Sequence, residues 1–151
     1  LVSSIFALSG EDDLVRLLAR VDALKDFVVS DDGANLLTAY KRAANILTIE
    51  EKKDEVNYDA VVDRGLFVED EETHMAEALE QSLARVGAAI EEEEFVLAMS
   101  ALSELRVPVD TFFDVVIVNA KDAALRANRL KLLSEIRTTM NKVADFSHIE
   151  G

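Results

Sequence analysis

Arg126, Arg129 and Arg137 share one amphipathic stretch near the end of this chain, and a guanidinium among leucines must find an acid or a ligand. At ~100° per residue, Arg129 falls within the arc spanned by Leu125, Leu132, Leu133 and Ile136, which predicts at least partial burial. The preceding apolar pattern carries Asp114 directly after a Phe112–Phe113 pair that is expected to be buried. A helix hairpin would bring Asp114 towards Arg129, so the expected arrangement is an internal Arg129–Asp114 ion pair. That structural role is favoured over direct contact of Arg129 with nucleic acid. Arg126 and Arg137 lie at the edge of the same apolar face, from which a long side chain can reach a partner or a ligand.

A second group of polar residues lies earlier. Lys41, Arg42 and Asn45, with Thr38 and Lys52, fall on the helical face opposite Leu36, Tyr40 and Leu47. No acid joins them before Glu50 and Glu51, which point elsewhere. Cations and an amide without a carboxylate suit phosphates and base edges. An ordinary solvated face has the same composition, so both readings stand at this stage.

Other chemistries find no support. His74 and His148 are far apart and lack ligand-like spacing, so no metal is expected. The absence of cysteine excludes disulfides and thiolate sites and fits a reducing compartment. Carboxylates gather at helix starts, where they compensate the helix dipole, and they single out no acid–base pair. There is no P-loop, dinucleotide fingerprint or G-x-S-x-G elbow, and no catalytic residue is expected.

The elements that must position these groups are helices. With 151 residues, 50% apolar, one proline and five glycines, the chain reads as a single all-α domain over residues 1–151. The formal net charge of −14 opposes phosphate binding at first sight, but it is unevenly spread. Residues 1–32 carry −4 and residues 50–107 carry −12, whereas residues 33–49 carry +2 and residues 108–151 are neutral. No apolar run approaches the ~18 residues of a membrane span. The first segment, LVSSIFALSG, lacks the basic start of a signal peptide and reads as the interior of a longer chain.

About six helices are expected. The first follows Glu11–Asp13, with Leu14, Leu17, Leu18, Val21, Leu24 and Val28 on one face. The second is capped by Asp31 or Asp32 and buries Leu36, Leu37, Tyr40, Ala44 and Leu47. Residues 51–68 read as a long connection with a short turn over Tyr58–Val62 and a break at Gly65. A third helix opens at Glu69–Glu72, with Met75, Leu79, Leu83 and Val86 inward and Gly87 near its end. A fourth opens at Glu91–Glu94, with Phe95, Val96, Met99, Leu102 and Leu105 inward. Pro108 suits the first turn of a fifth, with Val109, Phe112, Phe113, Val116 and Ile117 on its apolar face. Asn119–Asp122 turn the chain, Asp122 caps the sixth helix, and Phe146 and Ile149 anchor the tail.

Several blocks of this sequence resemble the DALR-type anticodon-binding domain that ends the β subunit of bacterial glycyl-tRNA synthetase. They are Tyr40-Lys41-Arg42 with Asn45-Ile46-Leu47, Pro108-Val109-Asp110 with Phe112-Phe113-Asp114, Asp122 with Leu125-Arg126, Asn128-Arg129-Leu130 and Leu132-Leu133, and Val143 to Ser147. Asp122-Ala123-Ala124-Leu125-Arg126 departs from the family's namesake motif by one extra alanine. The resemblance implies a helical bundle that is a C-terminal fragment of a longer subunit and helps hold the anticodon arm of glycine tRNA. Lys41, Arg42, Asn45 and Arg126 would contact the RNA, and Tyr40 would pack inside. Aminoacylation would occur on a separate catalytic α subunit, with ATP and magnesium needed only by the whole cytoplasmic enzyme and no cofactor in this fragment. The alternatives are an acidic protein-interaction module that never touches RNA, or the corresponding domain of a related synthetase such as the arginine enzyme.

Overall fold

The computed structural model describes residues 11–143, with side chains from Leu14 onward. Among them the regular elements are α1 (Glu11–Val29), α2 (Asp31–Asp54), a 3₁₀ turn (Arg64–Leu66), α3 (Asp70–Glu91), α4 (Phe95–Ser103), α5 (Arg106–Val115) and α6 (Ala123–Asn141). The described residues contain no strand, and the architecture is the all-α bundle that the sequence predicts. Helix α2 packs on α1, α5 and α6, while α3 packs on α4, α5 and α6, and α1 also meets α4. Leu24, Leu36, Leu47, Met75, Leu102, Leu105, Phe112, Leu132 and Leu133 are fully buried in one cluster. Each such side chain contributes about 1.5–3 kcal/mol by leaving water. Tyr40 packs inside as expected, and its hydroxyl donates to Asn141 Oδ1 at 3.0 Å.

Helix boundaries follow local chemistry that differs in places from the sequence reading. Ser30, rather than Asp31 or Asp32, caps α2, because its Oγ accepts from Gly33 N at 3.0 Å while donating to Phe27 O at 2.7 Å. The two aspartates occupy the first turn, where they favour the helix dipole. Helix α2 continues through Asp54 and ends where Glu55 turns left-handed at φ 56°. The connection is therefore shorter than expected, and its turn lies at Arg64–Leu66 instead of Tyr58–Val62. Asp63 caps that turn by accepting from Gly65 N at 2.9 Å. Pro108 does sit in the first turn of α5. Gly87 lies within α3, which runs on to Glu91.

The apolar stripes are wider than the faces they bury. Leu14 and Leu18 of α1, Leu83 of α3, Val96 of α4 and Ile117 after α5 are exposed. Among the described residues helix α1 packs chiefly on α2 and α4, and Leu17, Val21, Ala23, Leu24 and Phe27 form its core face. Phe146 and Ile149 lie outside the described residues.

Candidate nucleic-acid interface

The connection between α5 and α6 begins at Val116, which leaves α5 in an extended conformation within a β-branched run that disfavours helix. It ends at Asp122, whose Oδ1 accepts from Ala124 N at 2.9 Å and Leu125 N at 3.2 Å to start α6. Two arginines of α6 support this loop from below. Arg129 Nη1 donates to Ile117 O at 2.7 Å, and Arg126 Nε donates to Asn119 Oδ1 at 2.7 Å.

Arg129 is buried as expected, at 6% exposure, but its acid is Glu72 and not Asp114. Glu72 has no solvent exposure, and its Oε1 accepts from Arg129 Nη2 at 3.0 Å. The same oxygen accepts from Val68 N at 3.2 Å and Glu69 N at 3.1 Å, so it also holds the start of α3. The partner differs because α3 packs across α6 and brings its first turn onto Arg129. Asp114 stands exposed on α5, in the wall of a surface cavity.

Arg126 is likewise held internally, where the sequence reading has it facing RNA. Its guanidinium pairs with Asp54 at 2.7 Å and with Glu50, and lies 3.5 Å from the Tyr58 hydroxyl. Its side chain is only 17% exposed. The extra length of α2 is the reason, since it carries Glu50 and Asp54 onto the first turn of α6. The Tyr58 hydroxyl, at 2.6 Å, and Arg126 hold the Asp54 carboxyl below its usual 3.8. Burial and Asp54 push the Tyr58 hydroxyl up. Arg137 is engaged too, by Asp59 at 3.2 Å and Glu51 at 3.7 Å.

On the outer side of α2, Arg42 and Asn45 are exposed and Lys41 is half-buried. Thr38, Ile49 and Lys52 share this face and are exposed. The Arg42 guanidinium lies 4.4 Å above the ring of Phe113, a cation–π contact that joins α2 to α5. Phe113 is therefore half-buried, and only Phe112 of the expected pair is fully so; the rings meet edge-on at 5.8 Å and 75°. A cavity of 310 Å³ lies beside the Arg42–Phe113 stack, lined by Ile46, Glu50, Val116, Ile117, Asn119 and Leu130. A second, of 300 Å³, includes Asn35, Thr38, Asp110 and Asp114. The acid-free face of α2 thus acquires carboxylates from α5 once folded. Arg106 engages Asp110 at 3.6 Å, and among the described residues Arg42 forms no ion pair. A further cavity of 350 Å³ between α3 and α6 includes Asp59, the partner of Arg137, and none of the groups on the outer face of α2. The described residues hold no group of three or more His, Cys, Asp or Glu that could bind a metal ion, and no helix long and apolar enough to cross a membrane.

Residues 36–150 match the DALR anticodon binding domain, a span that includes α2 from Leu36 onward, α5, α6 and all of this surface but Asn35. The chain belongs to the DALR anticodon binding domain family. It is also 58% identical over its whole length to the glycine–tRNA ligase beta subunit of Rhodospirillum centenum. The corresponding beta subunits of Phenylobacterium zucineum and Cereibacter sphaeroides are 48% and 46% identical over 100% and 99% of this chain. The chain spans only 21–22% of the length of these relatives. Helix α1 precedes the residues matched to the DALR domain but is included in the match to all three beta subunits.

Three residues of this DALR surface escape a reading of sequence alone. Phe113 fits the core stripe of α5, Glu50 looks like part of an acidic helix end, and Asn119 looks like a turn residue. Their common location depends on α2 and the α5–α6 loop meeting, for which no local spacing gives a signal.

Proposed function

We propose that this domain binds the anticodon arm of glycine tRNA through the outer face of α2 and the adjoining α5–α6 loop, as part of a cytoplasmic glycine–tRNA ligase. The observation that carries this reading is Arg42 over Phe113, a cationic platform flanked by base-sized cavities and exposed amides, in a DALR domain. Unstacked RNA bases are held by stacking on such groups and by hydrogen bonds to their edges. Lys41 and Arg42 supply positive charge, and Asn45 supplies an uncharged donor and acceptor. Arg126 acts behind this surface and does not face the RNA. Aminoacylation belongs to the rest of the enzyme, with its α subunit, ATP and magnesium.

Salt titration of glycine tRNA binding by the intact enzyme tests the placement. Replacing Lys41 and Arg42 with alanine should weaken binding and flatten its dependence on log salt by roughly one to two units. Asn45→Ala should alter base preference more than slope. An unchanged slope in a folded double variant would move the contact elsewhere.

A second reading, a protein-docking role, is favoured by α1. Its exposed Leu14, Val15 and Leu18 lie on a helix outside the DALR match. The two roles use different faces, and the docking role would join this domain to the remainder of its β subunit.

A further inference from the structure

We infer that the groove between α3 and α6 is a docking site for the part of the β subunit outside this domain, which inserts a basic side chain beside Glu135. The inference rests on the docking reading and goes further, from α1 to a different face and a named charge.

Two helical faces build the groove. From α3 come Ala76, Leu79 and Leu83, spaced i, i+3 and i+7, and from α6 come Ser134, Glu135 and Thr138. The connection before the 3₁₀ turn adds Val61 and Val62. The cavity so formed holds 350 Å³. Leu79 is buried at its wall, whereas Leu83 is 39% and Val61 86% exposed. An apolar lining that stays open to solvent suits the methylene stem of a long side chain.

Charge decides which side chain. Three carboxylates line the cavity, those of Asp59, Glu80 and Glu135. Asp59 accepts from Ser134 Oγ at 3.0 Å and from Arg137 at 3.2 Å, and Glu80 takes Arg64. Glu135 is half-buried, and among the described residues it has neither a hydrogen bond nor an ion pair. Burial pushes its carboxyl above the usual 4.5, with Arg64 opposing from beyond ion-pair range and Glu80 adding to the shift. A desolvated carboxylate left alone is costly, and an incoming cation removes that cost. Lys131 lies one turn earlier on α6 and lines the same cavity, yet forms no ion pair with Glu135. An arginine or lysine from outside meets both requirements, with its stem along Leu79 and Leu83 and its charged head at Glu135.

The surroundings and the chain's relatives indicate the occupant. Phosphate is disfavoured here, because residues 50–107 carry −12 and RNA is repelled. The beta-subunit relatives carry most of their length outside the part that this chain matches. A tethered segment meets its site at an effective concentration that reaches the millimolar range, so a small contact suffices where a free protein needs a larger interface.

The experiment uses the intact enzyme with a benzophenone amino acid at position 83 or 61 of the groove or, separately, at position 15 of α1. Irradiation should join the two groove positions to β-subunit residues outside this domain, identified by peptide mass. Glu135→Arg places like charges together and should cut the yield from position 83 about 10-fold. Thr138→Arg, on the exposed side of α6, offers Glu135 an internal partner and should reduce the same yield, which provides a second variant if Glu135→Arg disturbs folding. Lys131→Ala removes a positive charge and should leave the yield unchanged or higher. Yields unaffected by both arginine variants, or lost in Lys131→Ala, would overturn the charge assignment and with it the inference. Groove positions that link only to the α subunit, only to tRNA, or to nothing would also overturn it. In that case a link from position 15 to the rest of the β subunit leaves the α1 docking reading standing, and its absence overturns both.

Discussion

Glu72 and Arg129 form a charge pair inside the bundle, with 0% and 6% of the residues exposed and 3.0 Å between Oε1 and Nη2. Removing one partner of a buried pair strands the other, and that outweighs the loss of the contact itself. Arg129→Met should therefore cost about 3–5 kcal/mol in urea denaturation. Replacing both residues by methionine should recover part of that loss, so the two changes are less than additive. Asp114→Asn, on the exposed side of α5, should change stability by less than about 0.5 kcal/mol. Strict additivity, or an Asp114 effect comparable with that of Arg129, would show the pair to be wrongly assigned. The burial of Arg129 is legible in sequence because the angular arc of Leu125, Leu132 and Leu133 encloses it. Its partner is not, because hydrophobic periodicity says which face of a helix is covered and nothing about which helix covers it.

At the level of elements, the junction of α1 and α2 is closely packed around Gly33. An alanine at position 33 would put its Cβ 1.7 Å from the Phe27 carbonyl oxygen, a backbone atom held by the end of α1. Gly33→Ala should destabilise by at least about 1–3 kcal/mol, the cost of overpacking. Gly87, inside α3, meets nothing within 4 Å at the same construction, so Gly87→Ala should stabilise by about 0.4–1 kcal/mol through the unfolded chain. Thermal unfolding of the two variants compares them directly, and equal shifts would contradict the packing. Helix existence was legible from apolar spacing in all six cases. The boundaries were not, because Ser30 and the continuation of α2 to Asp54 depend on a turn and an ion-pair cluster. Leu14 and Leu18 carry the helical period yet stay exposed, since α1 lies at the edge of the bundle.

For the whole molecule, two carboxylates bias stability in opposite directions with pH. Asp54 is held below its usual value by Tyr58 and Arg126, so its contribution is present above the unfolded value of 3.8 and lost as pH falls through the lower folded value. Burial pushes Glu135 above its usual 4.5, so its contribution is present below that value and lost as pH rises through the higher folded one. Asp54→Asn should therefore flatten the acid limb of the stability profile, and Glu135→Gln should raise stability near neutrality relative to wild type. Urea midpoints between about pH 3 and pH 7 test both, and parallel profiles for all three proteins would refute the assignment. By itself the sequence determined the all-helical class, the burial of Tyr40 and Arg129, the cap at Asp122 and the cationic face of α2, because each depends on residues within a few turns of one another. Only the tertiary structure decided that Glu72 takes Arg129, that Arg126 is spent on Glu50 and Asp54, and that Arg42 rests on Phe113. Those pairings join segments far apart in the chain, and packing in three dimensions selects among acids and rings that local sequence leaves equivalent.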